Sequence, residues 1–151
     1  MFTKILYPTD FSDVAGKTLA YVKKLREAGT KEVVVLHVLD EKEIESFSYG
    51  VAWAGNLPID LEKDVLKKLK EEAQEKLKDI ESELKERGFK VKVRIERGSP
   101  FKEILSVANE DNVSLIAIGS HGKSNIKEIL LGSVSEKVIR HCQKPVLVVK
   151  R

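Results

Sequence analysis

The chain of 151 residues is short of several things, and each shortage removes a class of function. Its one cysteine, Cys142, excludes an internal disulfide and any multi-cysteine metal site. Cys142 falls in a helical pattern, where it reads as a small buried or half-buried side chain rather than a nucleophile. Charge of one sign is also lacking. The 27 basic and 24 acidic side chains leave a net charge of +3, which gives no reason to invoke nucleic acid or a membrane surface as partner. No apolar run approaches the length of a membrane span, and residues 1–7 have neither the length nor the order of a signal peptide, so the expectation is a cytoplasmic protein. There is no G-x-x-x-x-G-K-[ST], which argues against a P-loop NTPase. No G-x-G-x-x-G follows the first strand, which argues against a dinucleotide dehydrogenase. Internal repeats and low-complexity tracts are absent.

What remains is a globular composition, 42% hydrophobic and 34% charged, in a length suited to one domain spanning residues 1–151. Residues 2–8 read as a strand ended by Pro8, which cannot donate to a ladder. Thr9 to Asp13 is turn and cap chemistry, and Asp10 is a candidate cap for the following helix. In that helix Val14, Thr18, Tyr21, Val22 and Leu25 recur at helical spacing until Gly29. The β-branched run over 33–39 is the pattern of a strand covered on both faces.

Residues 61–87 form a long amphipathic helix, with Leu61, Val65, Leu69, Ala73, Leu77, Ile80 and Leu84 on one stripe. Its outer face carries pairs such as Asp64–Lys68, Glu72–Lys76 and Glu81–Lys85. Gly88 closes it. The alternation over 90–96 then predicts a half-exposed strand at a sheet edge. Ser99-Pro100 opens a helix to about Asn109, and 114–118 is a buried strand. Ser133 opens a further helix to about Cys142, with Ser133 and Glu136 at the spacing of a capping box, and 145–149 is the last strand. Strands and helices alternate, so right-handed crossovers dictate a doubly wound, five-stranded parallel α/β sheet of order 3-2-1-4-5 with helices on both faces, a Rossmann-like fold.

One stretch carries chemistry. Gly119-Ser120-His121-Gly122 follows the buried strand, and nine residues later Gly132-Ser133 opens a helix. Glycines there permit positive φ and close backbone approach, and a helix start offers free N–H groups to a phosphate. The spacing reads as a nucleotide-phosphate cradle. It also fits, less well, a plain strand–loop–helix connection with a glycine turn and a serine cap. In the predicted strand order, Pro8-Thr9-Asp10 faces this loop across the point where strand order reverses, where such sheets bind ligands.

Gly119, Gly122, Gly132 and Ser133 match the G-x2-G-x9-G-[S/T] signature of the universal stress protein family, and the chain resembles the nucleotide-binding branch of that family over nearly its whole length. The opening Lys4 to Ser12, the strand end Leu36-His37-Val38 and the closing Lys144 to Val149 share the resemblance; the segment 41–59 is the least typical part. The resemblance implies a fold like that of the adenine nucleotide alpha hydrolases and a nucleotide-dependent sensor or regulator that binds ATP or another adenine nucleotide with Mg2+ or Mn2+. It implies that Asp10 lies near the ribose and the metal–phosphate region. Val38 would touch the adenine, although plain core packing suits that residue as well. By the same resemblance Gly119, Gly122, Gly132 and Ser133 hold phosphates, with apolar contact from Ile118 and phosphate-side contacts from Val134 and Ser135. It also implies a homodimer through the last strands, where Val146–Val149 forms an apolar edge.

Other relatives of the topology fit less well. A receiver domain needs an acceptor Asp after the third strand, where this chain has Glu96-Arg97-Gly98-Ser99; an alpha-hydrolase loop Ser-Gly-Gly after the first strand is replaced by Pro8-Thr9-Asp10. His121 offers acid–base chemistry, or only a hydrogen bond. No carboxylate pair or arginine is set to position a water, so at most slow ATP hydrolysis is expected. The alternative reading is a dimeric protein whose output is partner binding. On that reading Phe47 to Gly55, which holds the sole tryptophan, Trp53, is a lid, a docking patch or a loop folded on its own core.

Overall fold

The computed structural model describes residues 1–53, 61–123 and 131–151. Five parallel strands form one sheet in the order β3-β2-β1-β4-β5, as the alternation of elements predicts. They are β1 (Lys4–Pro8), β2 (Glu32–Asp40), β3 (Lys90–Gly98), β4 (Leu115–Gly119) and β5 (Val146–Val149). The helices are α1 (Asp13–Lys24), α2 (Glu41–Trp53), α3 (Leu61–Glu86), α4 (Pro100–Glu110) and α5 (Ser133–His141).

The period of two in a strand sorts the central residues into two cores. On one face Ile5, Tyr7, Val33, Val35, Leu115 and Ala117 pack against Leu19 and Val22 of α1 and Leu77 and Leu84 of α3. On the other, Leu6, Val34, Leu36, Ile116 and Ile118 pack against Ile104, Val107 and Ala108 of α4 and Val138 of α5. The unbroken Val-Val-Val-Leu run of β2 is explained by this arrangement, because alternate residues serve opposite cores. Pairing of Ile5 with both Val33 and Leu115 puts β1 at the centre of the sheet.

Three local expectations are corrected. The helix after β1 stops at Lys24. Residues 25–29 continue as tighter i→i+3 turns, and only then does Gly29, at φ +99°, end the winding. Segment 41–59, the least typical part of the sequence and one for which no helix is expected, begins as a helix. Asp40 Oδ1 accepts the Lys42 N–H, and Ile44 is buried while Phe47, Tyr49 and Trp53 face solvent. Residues 54–59 of that segment lie outside the described residues, as do 124–130 within the glycine motif. Finally, α5 starts one residue earlier than a capping box requires. Gly132 is the N-cap, Ser133 is the first helical residue, and Glu136 pairs with Arg140 instead of reaching back.

Candidate functional site

The carboxyl ends of β1, β2 and β4 and the start of α5 enclose a cleft of about 290 Å³. It opens where the strand order reverses, between β1 and β4. All eleven residues singled out in the sequence line it: Pro8, Thr9, Asp10, Val38, Ile118, Gly119, Gly122, Gly132, Ser133, Val134 and Ser135. Sequence reasoning passed over His37, Asp40, Glu43 and Lys123, which line it too. Asp40 and Glu43 are legible only once α2 is known to turn back over the end of β2.

The floor is built from the turn after β1. Thr9 N–H donates to Leu36 O at 2.8 Å, so the chain stays tied to β2 beyond Pro8. Phe11 then takes φ +62°, an unusual conformation for a bulky residue. Several contacts hold it there. Thr9 Oγ1 accepts the Phe11 N–H, the ring packs on His37 at 4.5 Å, and Lys76 Nζ sits over the ring, 5.0 Å from its centroid. Asp10 Oδ1 accepts the Ser12 N–H, and Ser12 Oγ accepts the Ala15 N–H. The cap of α1 is therefore Ser12, and Asp10 is not the cap that the sequence suggested. Asp10 braces the turn with one oxygen and presents Oδ2 to the glycine loop.

His37 Nδ1–H donates to Thr9 O at 2.8 Å, because a carbonyl can only accept. Burial, reinforced by the nearby Lys123 charge, lowers its pKa against the opposing pull of that hydrogen bond. A neutral ring with a fixed tautomer thus forms part of the wall. Tyr7 anchors the turn from below: its phenol donates to Ala15 O at 2.7 Å, and burial pushes its pKa up to about 12.

The motif glycines serve space rather than unusual torsion. Among the described glycines, positive φ occurs at Gly29, Gly88 and Gly98, not at Gly119, Gly122 or Gly132. This overturns the expectation of left-handed backbone in the loop. A Cβ on Gly119 would lie 2.8 Å from Val14 Cγ1, so the missing side chain is what lets α1 cover the end of β4. On Gly122 it would meet Asp10 Oδ2 at 2.6 Å, and on Gly132 it would crowd Ser120 O and the Cα of His121 at 3.2 and 3.3 Å. Ser120, fully buried, gathers the two ends of the loop: its carbonyl accepts from Gly132 N–H at 2.6 Å and Ser135 Oγ–H at 2.7 Å. Ser135 is thereby committed to the framework, whereas Ser133 is exposed at the first turn of α5. No side chain caps this helix start, and Ser133, Val134 and Ser135 of its first turn line the cleft. Ser120 Oγ also lies 2.8 Å from His121 Nδ1. What the arrangement offers chemically is an apolar slot between Val38 and Ile118, leading to a helix start suited to an anion.

Comparison with known proteins agrees with the geometry. Residues 1–150 match the Universal stress protein family. The chain is 48% identical over 156 residues to Universal stress protein MJ0577 of Methanocaldococcus jannaschii, covering 100% of this chain and 96% of that one. The solved structure of MJ0577 superposes with a TM-score of 0.87 over 100% of this chain and 97% of its own. Universal stress protein YxiE of Bacillus subtilis is 34% identical over 151 residues, with 99% and 100% coverage. At the level of fold alone, a universal stress protein family protein of Arabidopsis thaliana solved with AMP bound is similar, with a TM-score of 0.67 at 16% identity and coverage of 99% and 92%. The doubly wound sheet, its order and its glycine-bounded cleft are those of a member of the universal stress protein family, and this chain belongs to that family.

Proposed function

We propose that the cleft is an adenine-nucleotide site, with ATP as the ligand, and that the chain is a single nucleotide-binding unit acting as a cytoplasmic stress sensor or regulator. The observation that carries this reading is the convergence of the segments 8–10, 118–122 and 132–135, distant in sequence, with Val38 on one cleft at the switch point of the sheet. AMP in the Arabidopsis relative supports the class of ligand. In this reading Val38 and Ile118 flank the base, with Pro8 and Thr9 beneath the ribose. Asp10 stands between ribose and phosphates. Backbone N–H groups of Gly119, Gly122, Val134 and Ser135, with the Ser133 hydroxyl, receive the phosphates, while Gly132, whose N–H is held by Ser120 O, supplies room for them.

A hard divalent ion fits this donor set only in company. Asp10 Oδ2 is one available oxygen, and among the described residues no group of three His, Cys, Asp or Glu side chains is arranged to hold a metal. Mg2+ or Mn2+ would therefore be held by Asp10 together with nucleotide oxygens, supplying neutralisation of phosphate charge. Hydrolysis on this reading is slow at most. His121 shares its Nδ1 with Ser120 Oγ, and positioning of a water is what efficient phosphoryl transfer demands. The apolar outer strand β5, half-buried at Val146, Leu147 and Val148, supports a homodimer across that edge.

The test is calorimetric titration of nucleotide-stripped protein with ATP, with and without Mg2+, beside Ser133→Glu. A glutamate at the first turn of an exposed helix start favours the fold through the helix dipole, yet its carboxylate stands where phosphates would sit. Binding by the parent chain weakened about a hundredfold or more in the variant, with unchanged circular dichroism, is the expected result. Equal affinity in both would remove the phosphate role of α5. Gly132→Val is a poorer probe, since its side chain would collide with the protein's own backbone.

A further inference from the structure

The cleft carries an imbalance of charge that the glycine motif does not explain. Three carboxylates line it, those of Asp10, Asp40 and Glu43, and Lys123 is the only lysine or arginine among the described lining residues. Lys123 follows Gly122 directly, so its stem leaves the chain beside the backbone assigned to phosphate. Its Nζ stands 3.7 Å from Glu43 Oε2, which joins the glycine loop to α2 across the cleft. Both side chains are more than half exposed, at 58% and 57%. An exposed pair at this separation is weak and readily exchanged. A phosphoryl oxygen offers the same ammonium a shorter, charge-assisted contact, and the flexible lysine stem permits the move.

We propose that Lys123 reads the phosphate count of the bound nucleotide by exchanging Glu43 for a phosphoryl oxygen. This rests on the adenine-nucleotide reading above and deepens it. Each phosphoryl group added to the ligand increases repulsion from the three carboxylates and attraction to Lys123. Glu43 opposes binding twice, by repelling phosphate and by holding Lys123. A triphosphate displaces it most completely, and occupancy then uncouples α2 from the glycine loop. A monophosphate leaves the pair largely in place.

The experiment is a double-mutant cycle on the full chain: parent, Lys123→Ala, Glu43→Gln and both together, each titrated calorimetrically with AMP, ADP and ATP. Circular dichroism serves as the check of folding, and both positions are exposed enough to tolerate change. Lys123→Ala is expected to weaken ATP about tenfold, ADP less and AMP least. Glu43→Gln is expected to tighten ATP about threefold, and to do less when Lys123 is already absent, which isolates the exchange from simple repulsion. Trp53, the sole tryptophan and 92% exposed on α2, supplies a second readout: its anisotropy falls with ATP more than with AMP. Equal losses for all three nucleotides, or a Glu43→Gln effect that is the same with and without Lys123, would overturn the exchange while leaving the nucleotide site intact. No binding of any nucleotide by the parent chain would overturn both.

Discussion

The two edges of the sheet are opposites. On β3, Lys92 and Arg94 converge on Asp111 at the end of α4, and Arg94 also reaches Glu96 at 2.6 Å and Glu110 at 2.8 Å. The Asp111 side chain is only 7% exposed, so the network ties an outer strand to the helix layer rather than decorating the surface. Its hydrogen bonds, working against burial, raise the Arg94 pKa above its ordinary value. The β5 edge has four residues, Val-Leu-Val-Val, without a charged side chain among them. Natural sheets guard free edges with charge, and inward-facing lysine is a common guard. One edge here is guarded by charge and the other is not, which teaches that the proposed dimer would be directed to β5 as much by the guarding of β3 as by the apolarity of β5.

That contrast can be broken in order of expected effect. Asp111→Ala removes the enclosed carboxylate that Lys92 and Arg94 share, leaving Arg94 only the more exposed Glu96 and Glu110, and is expected to cost about 3 kcal/mol in urea unfolding. A loss below about 0.5 kcal/mol would mean that the network is ornamental. Val148→Lys transfers the β3 device to β5. Light scattering is expected to show a dimer of the 17.0 kDa chain dissociating, with self-association weakened about a hundredfold; a parent chain that is already monomeric at micromolar concentration would remove the dimer. The smallest effect sharpens the comparison through pH. Burial alone would raise the Asp111 pKa, but hydrogen bonds from Lys92 and Arg94 outweigh it and hold the carboxyl below its ordinary value. A carboxyl depressed in the folded state contributes stability that is complete above the unfolded value and is lost as pH falls through the folded one. The parent should therefore lose about 1 kcal/mol more than Asp111→Asn on acidification below about pH 4. Parallel acid curves would show that Asp111 has no such role.

The same two kinds of edge explain what could be read in the residues beforehand. Alternation over 90–96 and the unbroken apolar run over 33–39 reflect burial on one face or two, and periodicity reports that directly. The glycine spacing located the cleft, yet it misled on cause: Gly119, Gly122 and Gly132 are small because Val14, Asp10 and the Ser120–His121 backbone occupy the space. That reason involves residues distant in sequence and leaves no local trace. The α2 helix was missed because only Ile44 is buried in its first two turns, so no apolar stripe marks it; Asp40 as its cap and Glu41 and Glu43 in its first turn were the available signals. Ser133 and Glu136 have the spacing of a capping box, but Gly132 is bound to Ser120 O and takes the cap position first. The Glu43–Lys123 pair is a meeting of two segments that only the fold brings together.

Ser120 has a consequence beyond closing its loop. Its N–H donates to Val149 O at the end of β5, while its carbonyl holds Gly132 and Ser135 at the start of α5. One buried peptide thus belongs at once to the outer strand and to the helix start that faces the cleft. A shift of that peptide cannot be confined to either side. If association across β5 moves it, the free energy of association and the free energy of filling the cleft become linked quantities, and each must alter the other by the same factor.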